Sequence, residues 1–125
     1  MPRTTKSEAP VAVDTEQFTA RYVELGPYTV GYESFPQDVD PAPLFAGLPD
    51  SRCQCPHWGI VVSGQIVFRY PDHEETFRAG DSYYGGPGHL PLIFAGTEVI
   101  EFSPTEKFKE TAAVLDVAMA TMSEG

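Results

Sequence analysis

One hundred and twenty-five residues, 42% of them hydrophobic, are enough for one domain with a real core and short for two. Eighteen acidic residues against eight basic give a formal charge of −10, which repels phosphate backbones and anionic lipid, so neither a nucleic-acid nor a membrane partner is expected. No apolar run reaches membrane-spanning length and no secretory pattern opens the sequence. The two cysteines, Cys53 and Cys55, flank a single residue and would be strained as a disulfide, so a reducing cytoplasmic setting is expected.

Residues 1–15 (MPRTTKSEAPVAVDT) are polar, Pro-bearing and without period, and read as a disordered tail before a single domain over 16–125. RYVEL and YTVGYES read as two strands around Gly26-Pro27. The next stretch carries Pro36, Pro41, Pro43 and Pro49, a long loop with one helical turn at Pro43–Ala46, where Leu44 and Phe45 are placed to plug an edge or mouth. Four short strands follow between Gly-bearing turns: Gly59–Ser63, Gln65–Tyr70, Glu74–Arg78 and Ser82–Gly85. Leu90–Ala95 and Glu98–Phe102 add two more around Gly96-Thr97.

Then the period changes. Ser103-Pro104-Thr105-Glu106 reads as a capping box with Ser103 as the cap, so Ser103→Ala is expected to cost on the order of 1 kcal/mol. Phe108, Ala112, Leu115, Met119 and Met122 recur at helical spacing, which predicts a helix over 104–122 with that face packed on the barrel or on a partner. Strands first and a helix last argue for an all-β domain with a C-terminal helix.

The ligand-type residues bracket the central meander, with Cys53, Cys55 and His57 at one end and His89 at the other. In a sheet that rolls up, those ends come face to face. Gly64 closing an apolar strand, then Ala79-Gly80-Asp81 and Pro87-Gly88, resembles the two motifs of the cupin family over roughly Ser51 to Pro91. The resemblance implies a double-stranded β-helix (jelly-roll barrel), a homodimer and a metal centre inside the barrel. Counted back from Gly64, His57 stands at the family's metal-binding Glu position, Cys53 at its second His and Ser51 at its first. In the second motif, Gly86 replaces the Pro and Pro91 the His, while His89 lies two residues earlier, on the same strand face.

Each candidate has a plainer reading. His73, in Pro71-Asp72-His73, is a solvated turn residue. His57 and His89 are candidates for catalysis and metal binding, or else structural histidines in a strand start and a turn. On an extended strand Cys53 and His57 would stand about 13 Å apart, but Pro56 marks a bend that could swing Cys53 or Cys55 toward His57. Otherwise the thiols are small buried apolar groups. Two imidazoles and a thiolate suit zinc, iron or copper better than magnesium or calcium. Among strand residues, Tyr32, Phe68 and Tyr84, from an aromatic set that includes Tyr22, Tyr28 and Tyr83, are candidates to line a small-molecule pocket, together with Glu101, which alternates with Val99. Ser63 has no His at triad spacing. The leading expectation is a metal-dependent small-molecule enzyme. The alternatives are a non-catalytic binding or sensing module, and a metal-free isomerase or cyclase with His57 as base.

Overall fold

The computed structural model of the chain describes residues 3–124, with side chains described as far as Thr121. Along the described residues run β1 (Val11–Asp14), β2 (Thr19–Leu25), β3 (Tyr28–Phe35), a one-turn helix α1 (Ala42–Phe45), a 3-10 turn (Pro49–Ser51), β4 (His57–Ser63), β5 (Gln65–Arg69), β6 (Glu74–Arg78), β7 (Ser82–Gly85), β8 (Leu90–Ile93), β9 (Thr97–Pro104) and helix α2 (Thr105–Glu124). Six strands form one antiparallel sheet in the order β1-β2-β3-β9-β4-β7, and three form a second, β6-β5-β8. Val61, Ile66, Phe68, Tyr83 and Val99 fill the space between them. This is the all-β jelly roll with a C-terminal helix.

Period-2 alternation sets which residues face inward. One row crosses five strands of the large sheet: Tyr22 on β2 opposite Gly31, Gly31 opposite Glu101, Glu101 opposite Gly59, and Gly59 opposite Tyr83. The two glycines leave room for rings: a Cβ on Gly31 would meet the Tyr22 ring, and one on Gly59 would meet the Tyr83 ring. Both tyrosines therefore lean along the sheet toward the carboxyls at its centre. Gly85 does the same for Phe68, whose ring a Cβ there would overlap. Gly85→Ala is expected to destabilise the fold by on the order of 1–3 kcal/mol, as overpacking does. An unchanged denaturant midpoint would rule out that close approach.

A second core cluster, Phe45, Leu48, Cys53 and Cys55, is covered by Phe108, Val114 and Leu115 of α2. Leu44 and Phe45 thus plug one end of the barrel under the helix, as their place in the loop suggested. Phe108, Ala112, Leu115 and Met119 are the half-buried stripe of α2; the side chain of Met122 lies outside the described residues.

Two expectations are corrected. Val11–Asp14, assigned to a disordered tail, pairs with the edge strand β2, and Ala9 just before it is buried. Four residues with alternating valines suffice once a sheet edge is available, and Lys6 adds a 2.6 Å ion pair to Glu98. Ser103, assigned as the helix cap, continues β9 opposite Thr29 instead, so the helix begins at Thr105, whose N–H donates to the Pro27 carbonyl at 3.2 Å. Its hydroxyl faces the barrel interior, and the cap-loss expectation falls with it.

Candidate metal centre

Pro56 has no N–H for a ladder, so β4 starts only at His57 and the segment before it turns away. Cys53 pairs instead with the start of the last hairpin. Its N–H donates to the His89 carbonyl at 2.8 Å, and the Gly88 N–H donates to the Cys53 carbonyl at 2.8 Å. Gly88 holds a φ of +92°, which the turn after Pro87 requires and a Cβ would strain. The two ends of the meander are thereby clamped together.

The clamp gathers the Sγ of Cys53 and ring nitrogens of His57 and His89 within 4.8 Å of one another. Cys53 Sγ lies 3.6 Å from His57 Nε2, close to the roughly 3.5 Å edge of a tetrahedron built on zinc–sulfur and zinc–nitrogen bonds. Each imidazole is fixed from behind. His89 Nδ1 is 2.7 Å from the Gly86 carbonyl, which can only accept, so Nδ1 carries the proton and Nε2 offers a lone pair. His57 Nδ1 is 2.7 Å from Ser103 Oγ and 3.9 Å from Glu101 Oε1. Donation to that pair likewise leaves Nε2 free, and such support behind a ligand raises its basicity.

Burial lowers the pKa of His57 to about 4, against a smaller pull upward from Glu33. Burial, and then the neighbouring His57, lower His89 to about 4 as well. Both rings are neutral at pH 7, the form that ligates. Burial pushes the Cys53 thiol up to about 12, and a divalent cation is the kind of charge that reverses such a shift.

Next to the triad lies a cavity of about 150 Å³ with apolar walls that include Phe18, Phe35, Phe45, Phe68, Leu115 and Met119. Three carboxyls line it: Glu33 from β3, Glu101 from β9 and Asp116 from α2. Tyr22 Oη donates to Glu33 Oε2 at 2.5 Å, and Tyr83 Oη donates to Glu101 Oε2 at 2.5 Å. As anions Glu33 and Glu101 would repel each other in the buried cavity, so the pair keeps one proton at neutral pH. Burial, and then the Glu101 charge, raise Glu33 to about 8; burial raises Glu101. Burial and the adjacent carboxylates hold both tyrosines well above the ordinary phenol range, so they remain donors.

Of the sequence-derived candidates, Cys53, His57 and His89 come together, and Phe68 and Glu101 line the cavity, Phe68 stacked on His89 at 4.3 Å. Cys55 does not join the triad: its thiol turns to the Pro56 carbonyl at 3.5 Å and packs under α2. Tyr32 and Tyr84 are corrected to the outer face, because Glu33 and Tyr83 beside them point inward and adjacent strand residues alternate. Tyr84 is half exposed and packs on Trp58 at 5.0 Å. Ser51 is exposed in the 3-10 turn, and His73 sits in its surface turn against Asp72 and Tyr70. Sequence reasoning missed Glu33 and Ser103. The signal for Glu33 was its alternation with Phe35.

No protein-family model matches the sequence, and no match was found among curated proteins. Solved structures do match in fold. A protein of unknown function from Rhizobium leguminosarum is 17% identical, with a TM-score of 0.58 over 82% of this chain and 95% of its own. An RmlC-like cupin from Shewanella frigidimarina is 14% identical, with a TM-score of 0.55 over 81% and 88% of the two chains. FeII HppE is 11% identical, with a TM-score of 0.56 over 82% of this chain and 60% of its own. At these identities the likeness speaks to fold, and it agrees with the residues that first suggested the family: by fold, this chain is a small cupin-like protein.

Proposed function

We propose that the chain is a metal-dependent enzyme acting on a small molecule, with Cys53, His57 and His89 holding one divalent transition metal beside the cavity. The observation that carries the reading is the triad itself: three donors of the right softness, two of them neutral and oriented from behind, facing one point. Three protein ligands leave a tetrahedral ion one open position, and zinc, iron or copper suits the set. When bound, the ion would supply Lewis-acid polarisation of a substrate oxygen. The chain's own residues orient the ligands (Ser103, Gly86), exclude water with the apolar walls, and keep a proton at the Glu33–Glu101 pair within the same cavity.

Elemental analysis of protein purified without a His tag tests the proposal. Close to one equivalent of transition metal per chain is expected, and a chain that takes up none after loading overturns it. A non-catalytic binding module would use the same cavity. It is favoured if ligands stabilise the metal-loaded protein and are recovered unchanged in air. His57 acting alone as a general base is disfavoured, because burial keeps its pKa near 4 and its hold on a proton weak at neutral pH.

The proposed assembly is a homodimer through the outer face of the large sheet. Tyr28, Trp58, Ile60, Tyr84 and Phe102 are all more than a third exposed there, with no charged residue between them in the central rows. At roughly 200 Å² of surface per large aromatic side chain, their exposed fractions amount to about 400 Å². That is within the range of a monomer's largest patch and about half of the ~800 Å² each partner of a standard interface buries. A second copy fits best, because net charge of −10 keeps copies apart everywhere except on an uncharged, self-complementary face. Light scattering is expected to give twice the chain mass at micromolar concentration, and Trp58→Glu the monomer. A monomeric parent chain would overturn the assembly.

A further inference from the structure

We infer that the cavity takes a ligand of about one ring in size that presents hydrogen-bond donors and carries no negative charge. The inference rests on the metal-enzyme reading above and names what the same site accepts. Size comes first: about 150 Å³ is the volume of an apolar cavity that holds benzene. The walls are phenylalanine, leucine and methionine, so the body of the ligand is apolar.

The polar atoms decide the rest. Glu33, Glu101 and Asp116 line the cavity, and no Lys or Arg does so among the described residues. An anionic ligand would enter beside acidic groups with no cation of the protein to meet it, and a carboxylate deprived of water without a partner is strongly disfavoured. The hydroxyl hydrogens of Tyr22 and Tyr83 are already given to Glu33 and Glu101. The Nδ1 hydrogens of His57 and His89 are likewise given to Ser103 and the Gly86 carbonyl, leaving Nε2 lone pairs. Besides the Thr111 hydroxyl and the weakly donating Cys53 thiol, what faces a ligand is carboxyl oxygen and imidazole lone pair, so acceptors predominate. An alcohol or ammonium group satisfies them, and an anion leaves them unpaired.

Three isosteric probes separate the cases: benzyl alcohol, benzylamine (protonated at neutral pH) and benzoate. Calorimetric titration is run on the full chain with metal removed by chelator, so that benzoate cannot bind through an ion. The alcohol and the amine are expected to bind at least about tenfold more tightly than benzoate. Glu33→Gln keeps an acceptor for Tyr22 and leaves the single negative charge of the pair on Glu101, so the preference for the alcohol and the amine over benzoate is expected to persist, with thermal unfolding confirming that the variant folds. Benzoate binding as tightly as either partner, or no probe binding at millimolar concentration, overturns the inference. Because the titration is metal-free, an empty result in the metal analysis would leave this specificity standing, and a loaded centre would not rescue it.

Discussion

His89→Ala is expected to retain less than about a tenth of the metal held by the parent chain after identical loading, and His57→Ala the same, because two remaining donors cannot close the shell. Cys53→Ser should fall nearly as far, while Cys55→Ser keeps full stoichiometry, since the Cys55 thiol points at the Pro56 carbonyl and not at the triad. Ser103→Ala leaves all three donors in place and removes the oxygen 2.7 Å from His57 Nδ1; metal affinity should drop about 10–100-fold, as loss of such support does. The pH dependence follows from the same groups. With both imidazoles titrating near 4 and the thiol near 12, binding above pH 4 releases one proton, that of Cys53. Affinity should therefore fall about tenfold per pH unit on acidification and steepen only below the imidazole range. Equal metal in the parent and both His variants would return His57 and His89 to structural roles.

Without metal, the buried groups should give a stability profile with a maximum on the acid side of neutral. The unfolded histidines protonate near 6.5 and the folded ones near 4, so the unfolded state binds more protons in that window and stability falls as pH drops through it. Glu33 has the opposite sign. Its pKa is raised to about 8 in the fold, so the native state keeps a proton that the unfolded chain loses near 4.3, and stability falls as pH rises toward 8. Above pH 6.5 only the carboxyl effect remains. Glu33→Gln should then raise stability at pH 8 by on the order of a few kcal/mol and change it little at pH 4.5. Denaturant melts of both proteins at the two pH values measure this. A gain independent of pH would mean that the carboxyl is not held protonated.

Most of the fold was legible, and the reasons are local. Gly26, Gly64, Gly80 and Gly96 take positive φ at the turns where the sequence changes phase, and the strands between them alternate cleanly. β1 was not legible because a four-residue strand is stable only against a neighbour, and nothing within VAVD names β2. Ser103 carried a strong helix-start signal, but eight residues of β9 pairing on both sides outweighed it. At the site, the bend at Pro56 was readable and its direction was not. Which of the two cysteines swung inward depended on the Cys53–His89 pairing, a contact made across the sheet. Tyr32 and Tyr84 were assigned inward by residue type, where only the phase set by Gly31 and Glu33 could decide.

The position of β9 has a kinetic consequence. It lies between β3 and β4 and carries Val99, Glu101 and Ser103 into the interior, yet 61 residues separate its first residue from the last of β3. Until it docks, β3 and β4 each present an open edge, and neither the carboxyl pair nor the support behind His57 exists. Closing so long a loop for one strand gives high contact order, so refolding should run on the millisecond-to-second scale of β-sandwiches. Chains interrupted before that step would expose two unpaired edges to other chains. Metal offered early in refolding should therefore bind only in the slow phase, at the rate at which β9 inserts.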